Sequence, residues 1–263
     1  MIGKIFLASL ILLSSRICYA GEYKIVSLAP NATEILFALG LGDSVAAVDA
    51  YSNYPEEALG IDKAGTFVNP DIEKIILIKP DHLLVSAEMD SGMMEFLKRA
   101  GIGVIKVSPE SVDALCDDIL MIGGIFHKEE NAGRIVSDIK ERILRIARGI
   151  KTEKPKVFVR LFDDPLITGS RFIGDVIRLA GGENVAWDIK NDSGVFSYEV
   201  LIERAPDIII SAGFSGDVEL SDPVRTIKNA RVYKGIDPDI LLRPGPRTID
   251  AIEELNRVFY DKD

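Results

Sequence analysis

The sequence predicts two α/β lobes with mostly parallel sheets, joined by one long rigid helix, with a ligand cleft between the lobes. Three observations lead there. Short apolar runs alternate with helical stretches, the pattern of units that bury a parallel sheet on both faces. Between residues 128 and 150, Ala132, Ile135, Ile139, Ile143, Ile146 and Ile150 recur at three- and four-residue spacing with Lys, Glu and Arg between them, which is one amphipathic helix with a single apolar stripe. A short motif also occurs on each side of that helix. Glu73 is followed by Pro80-Asp81 and the apolar run His82–Val85, and Glu199 by Pro206-Asp207 and Ile208–Ile210. Its matching place in both halves favours a repeated unit over chance.

The elements follow in order. Lys4, the apolar run Ile5–Leu13 and the small residues Cys18 and Ala20 around Tyr19 form a secretory signal over residues 1–20, cleaved after Ala20. A lipid anchor at Cys18 ranks second, because Arg16 and Ile17 precede that cysteine. The N-terminal lobe is expected over 21–126. Its strand Ile25–Leu28 stops at Pro30, and a helix starts at once with Asn31 or Thr33 as its cap. Gly40 and Gly42 end that helix, and Ser44–Val48 is the next strand. A loop at Tyr51–Pro55 leads to a short helix at Pro70–Ile78, the strand His82–Val85, a helix at Ser91–Ala100 and the strand Val104–Val107. The interlobe helix occupies 127–152. The C-terminal lobe, 153–263, holds the strand Lys156–Arg160, a helix at Phe172–Ala180, the strand Ile208–Ser211 and a last helix from Thr248.

Composition excludes several functions. The chain carries 31 Lys+Arg against 41 Asp+Glu. Without Lys4 and Arg16 the balance is 29 against 41, or −12, which argues against nucleic acid as a partner. Cys116 is then the sole cysteine, so no intramolecular disulfide is expected. No other stretch has about 18 uninterrupted apolar residues, so a soluble protein outside the cytoplasm is expected. His82 and His127 share no metal-ligand spacing, and neither G-x-S-x-G, H-E-x-x-H nor a P-loop occurs. Asp163-Asp164 before Pro165 reads as a turn. The expectation is a binder that is not an enzyme and holds neither cofactor nor metal.

Binding groups lie in the loops. Two lobes with a stiff connector leave a crevice at the carboxyl ends of the strands. Pro30 and Asn31 open a helix there, so their backbone can form a ligand wall. Tyr51, Tyr54, Phe67 and Trp187 are ordinary core fillers or, at strand ends, stacking groups for a flat ligand. Arg243 in Arg243-Pro244-Gly245-Pro246-Arg247 is equally a donor to a ligand or a solvated helix entry.

In this order and spacing, "VSLAPNATEILFALG", "AYSNYPEEA", "GTFVNPDIEKIILIKPD", "RLAGGENV", "YEVLIERAPDIII" and "RPGPR" resemble the periplasmic substrate-binding proteins of ABC importers for cobalamin and iron chelates. The "YSNYP" loop is most similar to the cobalamin-binding branch. The resemblance covers nearly the whole chain after the leader and implies two Rossmann-like lobes on a helical backbone; because a long interlobe helix resists bending, only small hinge motion is expected. It implies that Tyr51 packs on a corrin, that Phe67 stands where cobalamin binders place a tryptophan, and that the loop of Asp239, Ile240, Leu241, Leu242 and Arg243 closes on the ligand. It also implies that Glu73 and Glu199 dock onto arginines of an ABC permease dimer in the inner membrane. The resulting expectation is a periplasmic monomer that delivers cobalamin, a corrinoid, with an iron–siderophore or haem as the alternative metal-chelate cargo. An extracytoplasmic enzyme or a sensor domain is the alternative of another class. Ser86-Ala87 departs from the family's further cleft tryptophans.

Overall fold

A computed structural model describes residues 23–86, 91–191, 193–213, 227 and 230–260. The strands β1 (Ile25–Ser27), β2 (Val45–Val48), β3 (His82–Val85) and β4 (Gly103–Lys106) form a parallel sheet in the order β2-β1-β3-β4. In the second half, β5 (Lys156–Arg160) is followed by the hairpin β6 (Phe162–Asp163) and β7 (Leu166–Gly169), then by β8 (Glu183–Asn184), β9 (Ser193–Val195), β10 (Ile208–Ser211) and β11 (Arg231–Tyr233). Its parallel sheet runs β11-β10-β5-β8, and β6-β7-β9 form a small antiparallel sheet. In each parallel sheet the chain steps from its first strand to one side, then returns to build the other. The order therefore reverses at β1/β3 and at β5/β10, where loops diverge beyond the carboxyl ends and leave a crevice.

The helices are α1 (Pro30–Ala38), α2 (Ile72–Ile78), α3 (Ser91–Arg99), α4 (Val112–Ile125), α5 (Glu129–Ala147), α6 (Arg171–Leu179), α7 (Tyr198–Arg204), α8 (Pro238–Leu242) and α9 (Thr248–Tyr260). The duplicated motif is a physical repeat. The side chain of Asp71 caps α2 and that of Ser197 caps α7, and one turn later Ile75 and Leu201 are fully buried. Both helices end through a left-handed residue, Lys79 (φ 52°) and Ala205 (φ 46°). The aspartate after the proline then clamps the start of the sheet's first strand. Asp81 Oδ2 accepts from the Lys24 amide at 2.8 Å, and Asp207 Oδ2 from the Lys156 amide at 2.8 Å. Each aspartate's own amide donates back to the same lysine carbonyl, again at 2.8 Å.

Strand residues alternate between two cores, as the period of two requires. Ile25, Leu84, Val157 and Ile210 face an inner core with Leu36 of α1, Ile119 of α4, Ile139 of α5, Val176 of α6 and Ile252 of α9. Val26 and Leu83 turn outward to Ile75 and Leu97, while Phe158 and Ile209 turn outward to Leu201 and Phe196. The inner core is continuous through both lobes. At 1.5 Å per residue, the 19 residues of α5 span about 28 Å. Near its start the Asn131 amide donates to the Leu39 carbonyl at 2.8 Å. Towards its end Arg142 donates to both carboxylate oxygens of Glu253, at 2.9 and 2.6 Å, and to Asp250 at 2.6 Å. One helix thus grips α1 of the first half and α9 of the second.

Some boundaries differ from the sequence reading. The long helix is shorter at both ends, and Ile150 packs on the core from beyond it. The antiparallel sheet was not foreseen, because two- and three-residue strands leave no readable period. The cap of α1 is Ala29, with no side-chain bond. Pro30 has no N–H to satisfy, so the Asn31 amide donates instead to the Val107 carbonyl (3.3 Å) and the Thr33 hydroxyl joins a buried network.

Asp118, half-buried on α4, has its carboxyl pushed up to about 6 by burial and then by the charge of Asp117. The folded state therefore keeps a proton that the unfolded chain releases. This contribution is present below the ordinary aspartate value and is lost as pH rises through about 6. Asp118→Asn is expected to stabilise the protein by about 1 kcal/mol at pH 7, after discounting for solvent screening, and to flatten the decline between pH 4 and 6. Urea melts of both proteins across that range check this.

Candidate ligand cleft between the lobes

The site grows from the carboxyl end of β1. Ser27, Thr33, Asp49 and Ser52 are all at most 1 % exposed. The Thr33 hydroxyl lies 2.9 Å from Ser27 Oγ and 2.8 Å from Ser52 Oγ, and Ser52 Oγ donates to Asp49 Oδ1. The second oxygen of Asp49 accepts the Tyr51 amide at 3.1 Å. This network fixes the 49–55 loop from below, since buried polar groups that lose a partner are costly. Next to it, Gly65 (φ +92°) opens a tight turn closed by the Thr66 amide on the Asn69 carbonyl at 3.0 Å, and the Gly65 carbonyl accepts the Ala50 amide at 2.8 Å. A Cβ at position 65 would stand 2.5 Å from the Asn69 carbonyl oxygen, so only glycine fits. The two turns together present Tyr51 and Phe67, 55 % and 46 % exposed, with ring centroids 6.1 Å apart at 55°.

The facing lobe contributes charge. Asp237 caps α8, and Arg243 follows its end. Arg243 donates to Asn53 Oδ1 across the lobes at 2.5 Å and pairs with Asp239 at 2.9 Å, while the Asn53 amide reaches Asp239 at 3.5 Å. Deeper, Arg247 grips Glu34 of α1 with two parallel bonds of 2.9 and 2.6 Å and stacks on the Tyr54 ring at 3.8 Å. Glu34 is 3 % exposed. Burial pushes its carboxyl above the ordinary range, against the pull of Arg247 and Arg243. The same pairing raises the Arg247 guanidinium. In the Pro-Gly-Pro segment a side chain at Gly245 would press on Glu34 at 3.2 Å. On the opposite flank Arg171 of α6 pairs with Glu110, which follows β4.

From the carboxyl end of β5 rises the antiparallel sheet. Phe162, Ile167 and Val195 are in register on one face, with Phe162 43 % and Val195 67 % exposed. Its other face buries Leu166 and Phe196.

The sequence-derived candidates divide clearly. Tyr51, Phe67, Asp239 and Arg243 stand in or beside one interlobe region. Asn31 is 5 % exposed with its amide engaged, and Pro30 is half-buried. The segment read as a loop at 239–242 is the helix α8. Its Leu241 is fully buried in the inner core, on which Ile240 and Leu242 also pack, so the three serve as the arm that carries Asp239 and Arg243. Trp187 stacks on Arg204, 5.5 Å from its ring, and Arg204 also holds Val185 and Asp188. The Arg204 guanidinium also lies 5.4 Å from the Phe196 ring, so Trp187 packs beside α7 on the outer side of the second sheet, whereas the ring that Tyr51 approaches is Phe67. Glu73 and Glu199 are exposed at equivalent places on α2 and α7, and a hydrogen bond from Ser197 holds the Glu199 carboxyl below its usual range. Ala87 lies outside the described residues. Sequence reasoning missed Glu34, Asn53, Arg247 and Phe162. An acid inside the apolar run of α1 and the second arginine of "RPGPR" were the available signals. Among the described residues no group of three or more His, Cys, Asp or Glu could hold a metal, and no helix is long and apolar enough to cross a membrane.

Two parallel-sheet lobes on a common helix, with stacking and hydrogen-bonding loops turned toward each other, define a class of proteins that clasp a small ligand without covalent chemistry. The family model "Periplasmic binding protein" matches residues 25–263, and the chain belongs to that family, whose members are non-enzymatic transport components. It is 34% identical over 253 residues to an uncharacterized ABC transporter substrate-binding lipoprotein, YvrC of Bacillus subtilis, covering 90% of this chain and 80% of the relative. The crystal structure of the periplasmic vitamin B12-binding protein BtuF of Vibrio cholerae superposes with a TM-score of 0.75 at 26% identity, covering 89% and 95% of the two chains. The apo periplasmic heme-binding protein RhuT of Roseiflexus sp. RS-1 superposes with a TM-score of 0.75 at 26% identity, covering 92% and 99%. The chain is a substrate-binding protein of an ABC transporter.

Removing Glu34 would leave two arginines facing a buried gap. Glu34→Ala is expected to cost about 3–5 kcal/mol, whereas Glu34→Ala with Arg247→Met should cost clearly less than the two single changes added together. Denaturant midpoints for the full cycle measure this, and simple additivity would refute the coupling.

Proposed function

We propose that the protein is the extracytoplasmic binding component that delivers cobalamin to an ABC importer. The observation that carries the reading is the exposed Tyr51–Phe67 pair, 6.1 Å between centroids and braced by a buried polar network. Aromatic side chains left half in water and rigidly held are suited to stacking on a broad flat ligand. Phe162 and Val195 supply an apolar surface from the other lobe, and Asn53, Asp239 and Arg243 supply hydrogen bonds to the amide side chains of a corrin. The similarity to vitamin B12-binding proteins supports the choice.

The ligand-loaded protein then docks as a monomer on a permease dimer through Glu73 and Glu199. Their equivalent places on α2 and α7 suit a two-fold symmetric partner with one basic socket per subunit. The site of action is the periplasm, reached through cleavage after Ala20, with Cys18 lipidation as the rival means of retention. Haem is the second reading. The exposed phenol of Tyr51 is a ligand type that ferric iron accepts, and RhuT is a heme-binding protein of the same fold.

Titration of the purified protein with cyanocobalamin, followed by calorimetry, is the direct test. Micromolar or tighter binding is expected, and Tyr51→Ala and Phe67→Ala should each weaken it about tenfold. Absence of binding would end the cobalamin reading. The double variant Glu73→Ala with Glu199→Ala should bind cyanocobalamin unchanged yet fail to support its uptake by the cognate importer. Undiminished uptake would remove these two residues from the docking surface.

A further inference from the structure

Four described arginines, Arg160, Arg171, Arg243 and Arg247, placed at or just after strand ends and in the segment before α9, already have an internal carboxylate. Arg160, ending β5, holds Asp163 at 2.5 Å. Arg171 holds Glu110. Arg243 holds Asp239 at 2.9 Å and lies 4.0 Å from Glu34. Arg247 holds Glu34 at 2.6 Å and lies 3.9 Å from Asp237. Four guanidinium groups face five carboxylates. Lys106, ending β4, is engaged as well, and the exposed Lys234 follows the edge strand β11. The buried members make this arrangement stiff, since Arg160 and Glu34 are 4 % and 3 % exposed.

We infer that the compensation of these described arginines makes their part of the cleft disfavour anionic ligands and accept an electroneutral one, with Asp239 and Glu110 acting as specificity residues that keep Arg243 and Arg171 from anionic cargo. The inference rests on the reading of the cleft as a corrinoid site. Cyanocobalamin fits the condition, because the trivalent cobalt is balanced by cyanide, the corrin anion and one phosphodiester. Haem carries two free propionates and catecholate iron chelates carry several negative charges. Such ligands need unpaired cations in a partly desolvated cleft, where a mismatched charge is much more costly than in water. Here an incoming carboxylate would have to displace Asp239 from Arg243 or Glu110 from Arg171, and then leave the displaced acid nearby. The aromatic pair would serve either a corrin or a porphyrin, so the discrimination falls to charge.

Asp239→Asn and Glu110→Gln keep shape and hydrogen-bonding capacity while freeing Arg243 and Arg171 respectively. Binding of haemin and of cyanocobalamin is measured for the wild type and both variants, at two salt concentrations. The wild type is expected to prefer cyanocobalamin by at least tenfold. Each variant should gain about fivefold or more in haemin affinity, and added salt should erase the gain. Cyanocobalamin bound as expected, with haemin affinity unmoved in both variants, would overturn the charge inference and leave the corrinoid reading standing. A wild type that prefers haemin, or binds neither compound, would overturn both.

Discussion

The constraint from which most of this architecture follows is that a parallel sheet must be covered on both faces. Each lobe covers its outer face alone, with α2 and α3 on one sheet and α7 on the other. The inner faces share their cover. Ile25 and Leu84 from one sheet and Val157 and Ile210 from the other bury into a single core built on α1, α4, α5, α6 and α9. The apolar surface that would be exposed by swinging the lobes apart is therefore the same surface that stabilises each of them. On the far side the lobes meet through side chains instead of through core. Arg142, locked to Glu253 and Asp250, and Asn131, bound to the end of α1, hold the spine at both ends.

The contacts across the cleft grade from buried to exposed. Glu34 with Arg247 lies deepest, where two bonds and the Tyr54 ring desolvate the pair. Arg243 with Asp239 and Asn53 lies further out, on a side chain that still reaches solvent. The same loop residues thus join the lobes and border the aromatic pair, so lobe closure and ligand contact are one geometry. The pairing explains why an α1 helix of apolar character tolerates an internal glutamate, and why a small residue between the two prolines before α9 suits it. A Cβ at Gly245 would stand 3.2 Å from a Glu34 carboxylate oxygen, so a larger residue would press on the ion pair.

The parts visible in the sequence were those written in periodicity and repetition. The stripe from Ala132 to Ile146 marked α5, and the doubled Glu–Pro–Asp motif marked both α2–β3 and α7–β10. Short-range signals were weaker. Asn31 and Thr33 had the chemistry of caps, yet the helix begins at Pro30, so both lie inside it, and burial drew their side chains into tertiary bonds. The β6–β7–β9 sheet was invisible because three very short strands depend on one another's edges. At the site, Tyr51 and Phe67 were legible as aromatics in polar loops. Glu34 and Arg247 were not, since a partner 213 residues away leaves no local trace. Trp187 looked equivalent to Tyr51 by composition alone, but the turn after β8 carries it to Arg204 of α7.

The two halves keep their repeat in one place and abandon it in another, and the division has a physical logic. At α2 and α7 the capping side chain, the exposed glutamate, the buried residue two positions on, the left-handed end and the aspartate clamp all correspond. At the carboxyl ends of the strands the described residues differ, with a polar-braced aromatic loop on the first lobe and an antiparallel ribbon with a charged helix end on the second. A duplicated structure stays symmetric only where something symmetric constrains it. A two-fold partner would constrain the α2 and α7 surfaces together, because drift in either one would unbalance the pair. A ligand with two unlike faces and an irregular rim, such as the proposed corrinoid, would place no matching demand on the loops, which are then free to diverge. Within that shared frame the caps themselves differ, since the Ser197 hydroxyl both caps α7 and orients the exposed carboxylate of Glu199, whereas the Asp71 carboxylate of α2 only accepts.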